Sequence, residues 1–197
     1  MFKGKKEMRT MMKKMLALAA TVLIATSAAV AAPKTADKNE QSYQQISKKV
    51  RKELVTLPYF GVFDNLAYKI EGGTVTLYGQ VVRPSTRKDA ERRVAKIEGI
   101  QRVVNQIEVL PLSSFDDSVR ISTYRALART GGLYRYLMGT NPSLRIIVNR
   151  GHVTLEGIVA NEGDRNLANI VANGVAGAFS VKNNLRTDRE IEREELY

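Results

Sequence analysis

The sequence predicts an α+β fold of two tandem α-β-β-α-β units, each a small mixed three-stranded sheet with two helices on one face. Three observations carry that prediction. Residues 73–81 read GTVTLYGQV and residues 151–159 read GHVTLEGIV, so one stretch is written nearly twice. A shift of 78 positions places Gly73, Val75, Thr76, Leu77, Gly79, Val81, Arg87, Ala90, Gly99, Val103 and Asn105 on identical residues, from Gly151 to Asn183, without a gap. Around each copy the apolar pattern moves between a period of two and a helical period, the mark of strands and helices in alternation.

The first helix of each unit is read from Ile46, Val50 and Leu54 in copy one, and from Val119 and Leu127 in copy two. Ser118, behind Asp116 and Asp117, supplies an N-terminal cap for the second of these. A hairpin follows. Leu66, Tyr68 and Ile70 alternate before Glu71-Gly72-Gly73-Thr74, and Val75, Leu77, Gly79 and Val81 alternate after it. Glycine reaches positive φ freely, so the Gly-Gly pair marks the turn. Gly79 and Gly157 fall on the inward face, where a missing side chain admits a closely approaching helix or a bulge.

A second helix is read from Ala90, Val94 and Ile97 ahead of Gly99, and from Ala168, Val171 and Val175 ahead of Gly177. The last strands are VVNQIEV and VKNNLRT. Asn105 and Asn183 share the alternation of their apolar neighbours, so an inward amide in each copy requires backbone partners.

The boundaries follow. Six basic residues among Lys3–Lys14 precede an uncharged, Ala-rich run from Met15 to Val30, which closes on small residues. This pattern predicts an export signal over residues 1–31, cleaved after Ala31, and is too short and too weakly apolar for a transmembrane anchor. Residues 32–43 read as a flexible lead-in, 44–110 as the first unit, 111–116 as a linker, 117–188 as the second unit and 189–197 as a charged tail, either a frayed helix or disordered. The chain has no cysteine, hence no disulfide, no thiolate metal site and no lipid-attachment thiol. It carries 31 Lys+Arg against 20 Asp+Glu; without the leader's six basic and one acidic residues, 25 face 19 and the charge is +6. An exported chain of that charge favours anionic lipid or envelope polymer over nucleic acid as a partner.

The run G-x-V-T-L-x-G-x-V, the helix bearing Ala90 or Ala168, and the ensuing G-[IA]-x-x-V-x-N-x-[IL] resemble the BON domain of bacterial envelope proteins, over about residues 44 to 188. The resemblance implies an α-β-β-α-β fold, a tandem pair behind an export signal, a periplasmic location, and attachment to phospholipid or envelope surfaces, sometimes under osmotic stress. No reaction and no cofactor are expected of this chain.

Two surfaces are candidates for anionic lipid. Lys88, Arg92 and Lys96 recur at helical spacing opposite the apolar stripe of copy one, a row of cations suited to phosphate head groups. In copy two, Tyr124, Arg125, Arg129, Tyr134, Arg135 and Tyr136 gather aromatics and arginines, with Leu137 and Met138 beside them. The alternative is a structural or chaperone-like protein-interaction module that uses sheet edges or the inter-domain groove. His152, the one histidine, has no ligand cluster in the sequence around it, and no nucleophile–base pattern appears. Gly174-Val175-Ala176-Gly177 spells a GxxG, but it precedes a strand and lacks the polar centre of a nucleic-acid-clamping loop.

Overall fold

A computed structural model of the chain describes residues 34–195. The export leader expected over residues 1–31 lies outside them. Helix α1 (Lys34–Val55), strands β1 (Asn65–Glu71) and β2 (Thr74–Val81), helix α2 (Pro84–Val94) and strand β3 (Arg102–Val109) form copy one. Copy two contains α3 (Ser114–Arg129), the short α4 (Tyr134–Leu137), β4 (Leu144–Asn149), β5 (His152–Val159), α5 (Glu162–Asn173) and β6 (Ser180–Thr187); α6 (Asp188–Glu195) follows.

Each sheet has the middle strand of its unit at the centre. β2 pairs antiparallel with β1 and parallel with β3, and β5 does the same with β4 and β6. The hairpin turns fit the type I′ pattern, with both central residues at positive φ: Gly72 and Gly73 at 52° and 82°, Arg150 and Gly151 at 52° and 77°. One face of each sheet meets the helices. Val75, Leu77, Val81 and Ile107 pack against Val50, Leu54, Ala90 and Val94. Val153, Leu155, Val159 and Leu185 pack against Val119, Leu127, Ala168 and Ala172. Full burial of each Val or Leu contributes about 1.5–3 kcal/mol, so the alternation seen in the sequence holds the fold.

The two copies share their polar devices as well as their cores. Asn105 Nδ2 donates to Arg87 O and Asn183 Nδ2 to Arg165 O, both at 3.0 Å. Their Oδ1 atoms accept from Ile107 N and Leu185 N, both at 3.1 Å. Each amide thus ties the last strand to the helix before it. Gly79 and Gly157, at φ 117° and 116°, are tightly approached by a strand and not by a helix. A Cβ there would stand 2.1 Å from Asn65 O or 1.9 Å from Ser143 O, on the chain entering the neighbouring strand.

Three boundaries differ from the sequence reading. The stretch expected to be a flexible lead-in up to residue 43 is helical from Lys34, because no Gly or Pro interrupts Lys34–Val55 and helix propensity needs no apolar stripe. The linker expected at 111–116 ends early, because Ser113 caps α3 by accepting from Asp116 N at 3.1 Å. Ser118, the cap expected from the sequence, instead donates to Ser114 O within the helix. Asp116 is 1% exposed and accepts from Arg150 N at 2.9 Å and Gly151 N at 2.8 Å, so this residue of the supposed linker fastens the second hairpin turn. The charged tail begins as a capped helix: Thr187 N donates to Glu190 Oε2 at 2.8 Å and Glu190 N to Thr187 Oγ1 at 3.3 Å, a reciprocal box.

Gly157→Ala forces a Cβ into a carbonyl at a backbone angle that side chains rarely adopt, and should cost on the order of 3 kcal/mol in urea unfolding. A loss below about 0.5 kcal/mol would contradict the close approach. The Thr187 amide, aided by Arg165, holds the Glu190 carboxyl below the usual glutamate range. Folding therefore favours the ionised form; the contribution of this box is complete above the ordinary glutamate value and is lost as pH falls through the lower folded value. Amide exchange across Asp188–Arg193 should accelerate in that acidic window, ahead of exchange in β5.

Candidate functional site

Residues 57–64, LPYFGVFD, connect α1 to β1 and form the place where the copies meet. Short turns shape this loop: Phe60 N donates to Leu57 O at 3.3 Å and Asp64 N to Gly61 O at 3.1 Å. Asp64, 4% exposed, accepts from Gly61 N at 3.1 Å and from Val82 N at 2.8 Å, which fixes the loop to the end of β2. Burial pushes its carboxyl above the usual aspartate value, outweighing those two amides and the nearby Arg145 and Arg83.

The fixed loop then serves copy two. Ile146 N, on the outer edge of β4, donates to Val62 O at 2.8 Å. Arg145 Nη1 donates to Gly61 O at 2.7 Å, Nη2 bonds Asn141 Oδ1, and the guanidinium lies 4.6 Å from the centre of the Phe60 ring. Arg145 is 7% exposed, and burial lowers its pKa from the usual arginine value against the pull of Asp64. β4 is an edge strand of its sheet, and its unpaired backbone groups call for a cover. The loop supplies one at Arg145 and Ile146, and Ile147, buried on the face away from the helices, lies beside Gln80, Glu108 and Leu110 of copy one.

Beside this junction lies a groove of about 540 Å³. Phe60 and Phe63 from copy one and Ile121, Tyr124 and Leu137 from copy two line it, with Arg125 in its wall. Tyr124 is half-buried and meets Phe63 edge-on, ring centres 6.2 Å apart. The sequence pointed to Tyr124 and Arg125; it did not point to LPYFGVFD, although Leu57, Tyr59, Phe60, Val62 and Phe63 in such a short loop were a readable sign of packing against something.

The other candidate residues are spread more widely. Arg129 is exposed one turn beyond Arg125 on α3, and neither arginine has an ion-pair partner among the described residues. Tyr134 and Met138, each 48% exposed, flank the buried Leu137. Tyr136 is 8% exposed and committed: its hydroxyl donates to Asp164 Oδ2 at 2.6 Å and accepts from Ala160 N at 3.0 Å. Arg135 reaches the same Asp164 at 2.5 Å and stacks on the Tyr136 ring. Together they pin the start of α5, which leaves Tyr124, Arg125, Arg129 and Tyr134 as the candidate residues of copy two outside that tie. Lys88 and Arg92 are exposed on α2, Arg92 paired with Asp89, and Lys96 is exposed in the turn beyond the helix end. The two surfaces belong to different copies.

Among the described residues no group of three or more His, Cys, Asp or Glu is placed to hold a metal, and no helix is long and apolar enough to cross a membrane. His152 Nδ1 lies 2.8 Å from Ser180 Oγ, beside the Phe179 ring.

The BON domain family model matches residues 42–111 and 125–189, more than half of the chain. The protein belongs to the BON-domain family and carries the domain twice. Members of this family are envelope- or phospholipid-associated or protein-interaction modules and are generally not enzymes. A comparison with curated proteins finds no match. Among solved structures the chain is similar to the C-terminal domain of CdsD, the structural protein of the type III secretion system of Chlamydia trachomatis, at 11% identity and a TM-score of 0.31, over 75% of this chain and 66% of that one. A second CdsD structure from the same organism gives 12% identity and a TM-score of 0.27 over 78% and 99%. Likenesses of that strength carry no argument about function.

Replacing Arg145 with Met removes its charged hydrogen bonds to Gly61 O and Asn141 Oδ1 and one of the two cations near Asp64. Loss of hydrogen bonds made by a buried charged group costs about 1.5–3 kcal/mol. Equilibrium unfolding of R145M should show a loss of that order, whereas a change within about 0.5 kcal/mol would remove Arg145 from the junction.

Proposed function

We propose that this chain is a non-enzymatic protein of the periplasm, exported by its leader, that associates with anionic phospholipid or a comparable envelope surface and so supports envelope integrity. The observation that carries the proposal is the pair Arg125 and Arg129, exposed on α3 without carboxylate partners among the described residues, with Tyr134 and Met138 also exposed. Arginine presents a planar fork to phosphate, and tyrosine and methionine give an apolar flank to a head-group layer. Lys88 and Lys96 on copy one form a second, weaker cationic surface, since Arg92 between them is already engaged by Asp89. No cofactor enters this reading.

Co-sedimentation of residues 32–197 with neutral and anionic vesicles, at low and high salt, tests it. Binding is expected to anionic vesicles alone and to be reversed by salt. Each basic residue near an anionic surface is worth about 1 kcal/mol, so removing both cations in R125Q/R129Q should weaken binding by roughly 20- to 30-fold. K88Q/K96Q should weaken it less. Absence of binding, or binding indifferent to salt and to these changes, would reject the lipid reading in favour of a protein partner.

A further inference from the structure

We infer that the groove at the junction takes one acyl chain of an anionic phospholipid, with its phosphate on Arg125. This rests on the lipid reading and gives it a site that neither copy possesses alone.

Three features of the groove select the occupant. Its walls are the apolar side chains of Phe60, Phe63, Ile121, Tyr124 and Leu137, and Arg125 is the one charged residue that lines it. No carboxylate lies in the lining to oppose an anion, and Arg125 is exposed, which puts a cation at the mouth of an apolar slot. An amphiphile with an alkyl tail and an anionic head matches that division.

The backbone argues against a peptide strand as the occupant. Strand addition needs free amides and carbonyls along an edge. On this loop Gly61 O already accepts from Arg145 and Val62 O from Ile146. What remains on offer is apolar side-chain surface, which an alkyl chain uses without any hydrogen bond. The volume of about 540 Å³ lies within the range of about 300–1,000 Å³ usual for small-ligand clefts. Met138, between the lining residues Leu137 and Gly139, adds a flexible apolar rim.

The test is an amide NMR titration of residues 32–197 with dodecyl phosphate below its micelle concentration, compared with dodecyl maltoside and inorganic phosphate. Dodecyl phosphate should shift the amides of Gly61, Val62, Leu137 and Gly139, and inorganic phosphate alone should leave them in place. Ile121→Trp fills the groove from a position that is 43% exposed, so the fold is retained; binding should fall at least tenfold. Ile121→Gln, which removes apolar wall without adding bulk, should weaken it too. Arg125→Gln should weaken dodecyl phosphate about fivefold and leave dodecyl maltoside unchanged.

Unmoved groove amides, equal binding to Ile121→Trp and the parent, or maltoside binding as tight as phosphate would each overturn the inference. Shifts of the same amides on raising protein concentration alone would assign the groove to a second copy of the chain, and overturn it as well. Vesicle binding separates the two proposals: if it persists with its salt response while the groove stays empty, the surface reading stands and the groove assignment fails. If both are lost, the lipid reading itself fails.

Discussion

The hydrogen bond from Ile146 N to Val62 O, with Arg145 clamped beside it, is the constraint around which the two copies are arranged. An edge strand in water exposes a row of unpaired donors and acceptors and invites association with other chains. Copy one resolves this for copy two by lending a loop that Asp64 has made rigid. The tandem is therefore an unequal pair, one unit giving a cover and the other receiving it, and both lie within one compact unit that begins at Asn39.

The 78-residue register separates what the fold needs from what the junction needs. Residues identical between the copies build the shared scaffold: the Asn105 and Asn183 ties, the Gly79 and Gly157 close approaches, and the Val-Thr-Leu strands. Residues that differ build the junction. Arg145 stands where copy one has Ala67, and Asp64 stands where copy two has Pro142. The segment of copy two that corresponds to the covering loop carries Arg135, Tyr136 and Leu137, and fastens its own helix α5 through Asp164. Duplication preserved the unit, and divergence of a few positions joined the units.

This division also accounts for what was legible in the sequence. Strand and helix periods, the turns and the inward amides all stand on local spacing, and the structure shows them there, save that α2 and α5 end at Val94 and Asn173, short of Ile97 and Val175. The inward glycines were legible as positions of close approach, yet the approaching group is a carbonyl of the neighbouring strand's chain, which spacing alone does not reveal. The start of α1 was missed because its first turns carry no apolar stripe. Asp116 was misread because a carboxylate near a helix start ordinarily signals a cap or a dipole contact, whereas this one binds hairpin amides 34 and 35 residues away. Arg135 and Tyr136 looked like surface groups until Asp164, far along the chain, was brought to meet them. Thr187 and Glu190 did carry a readable capping spacing at the entry to the charged tail. Every long-range pairing across the copies escaped, since no periodicity encodes it.

Tyr124 and Arg125 stand beside the covering loop, so the union of the copies shapes the surface proposed to meet lipid as well as the fold. The most direct check on that union is native-state hydrogen exchange at one amide. Ile146 N–H points away from β5 and bonds copy one, so it should be protected to the same opening free energy as the amides between β4 and β5. Exchange at the rate of an exposed edge, with those interior amides still protected, would show that the copies are not joined.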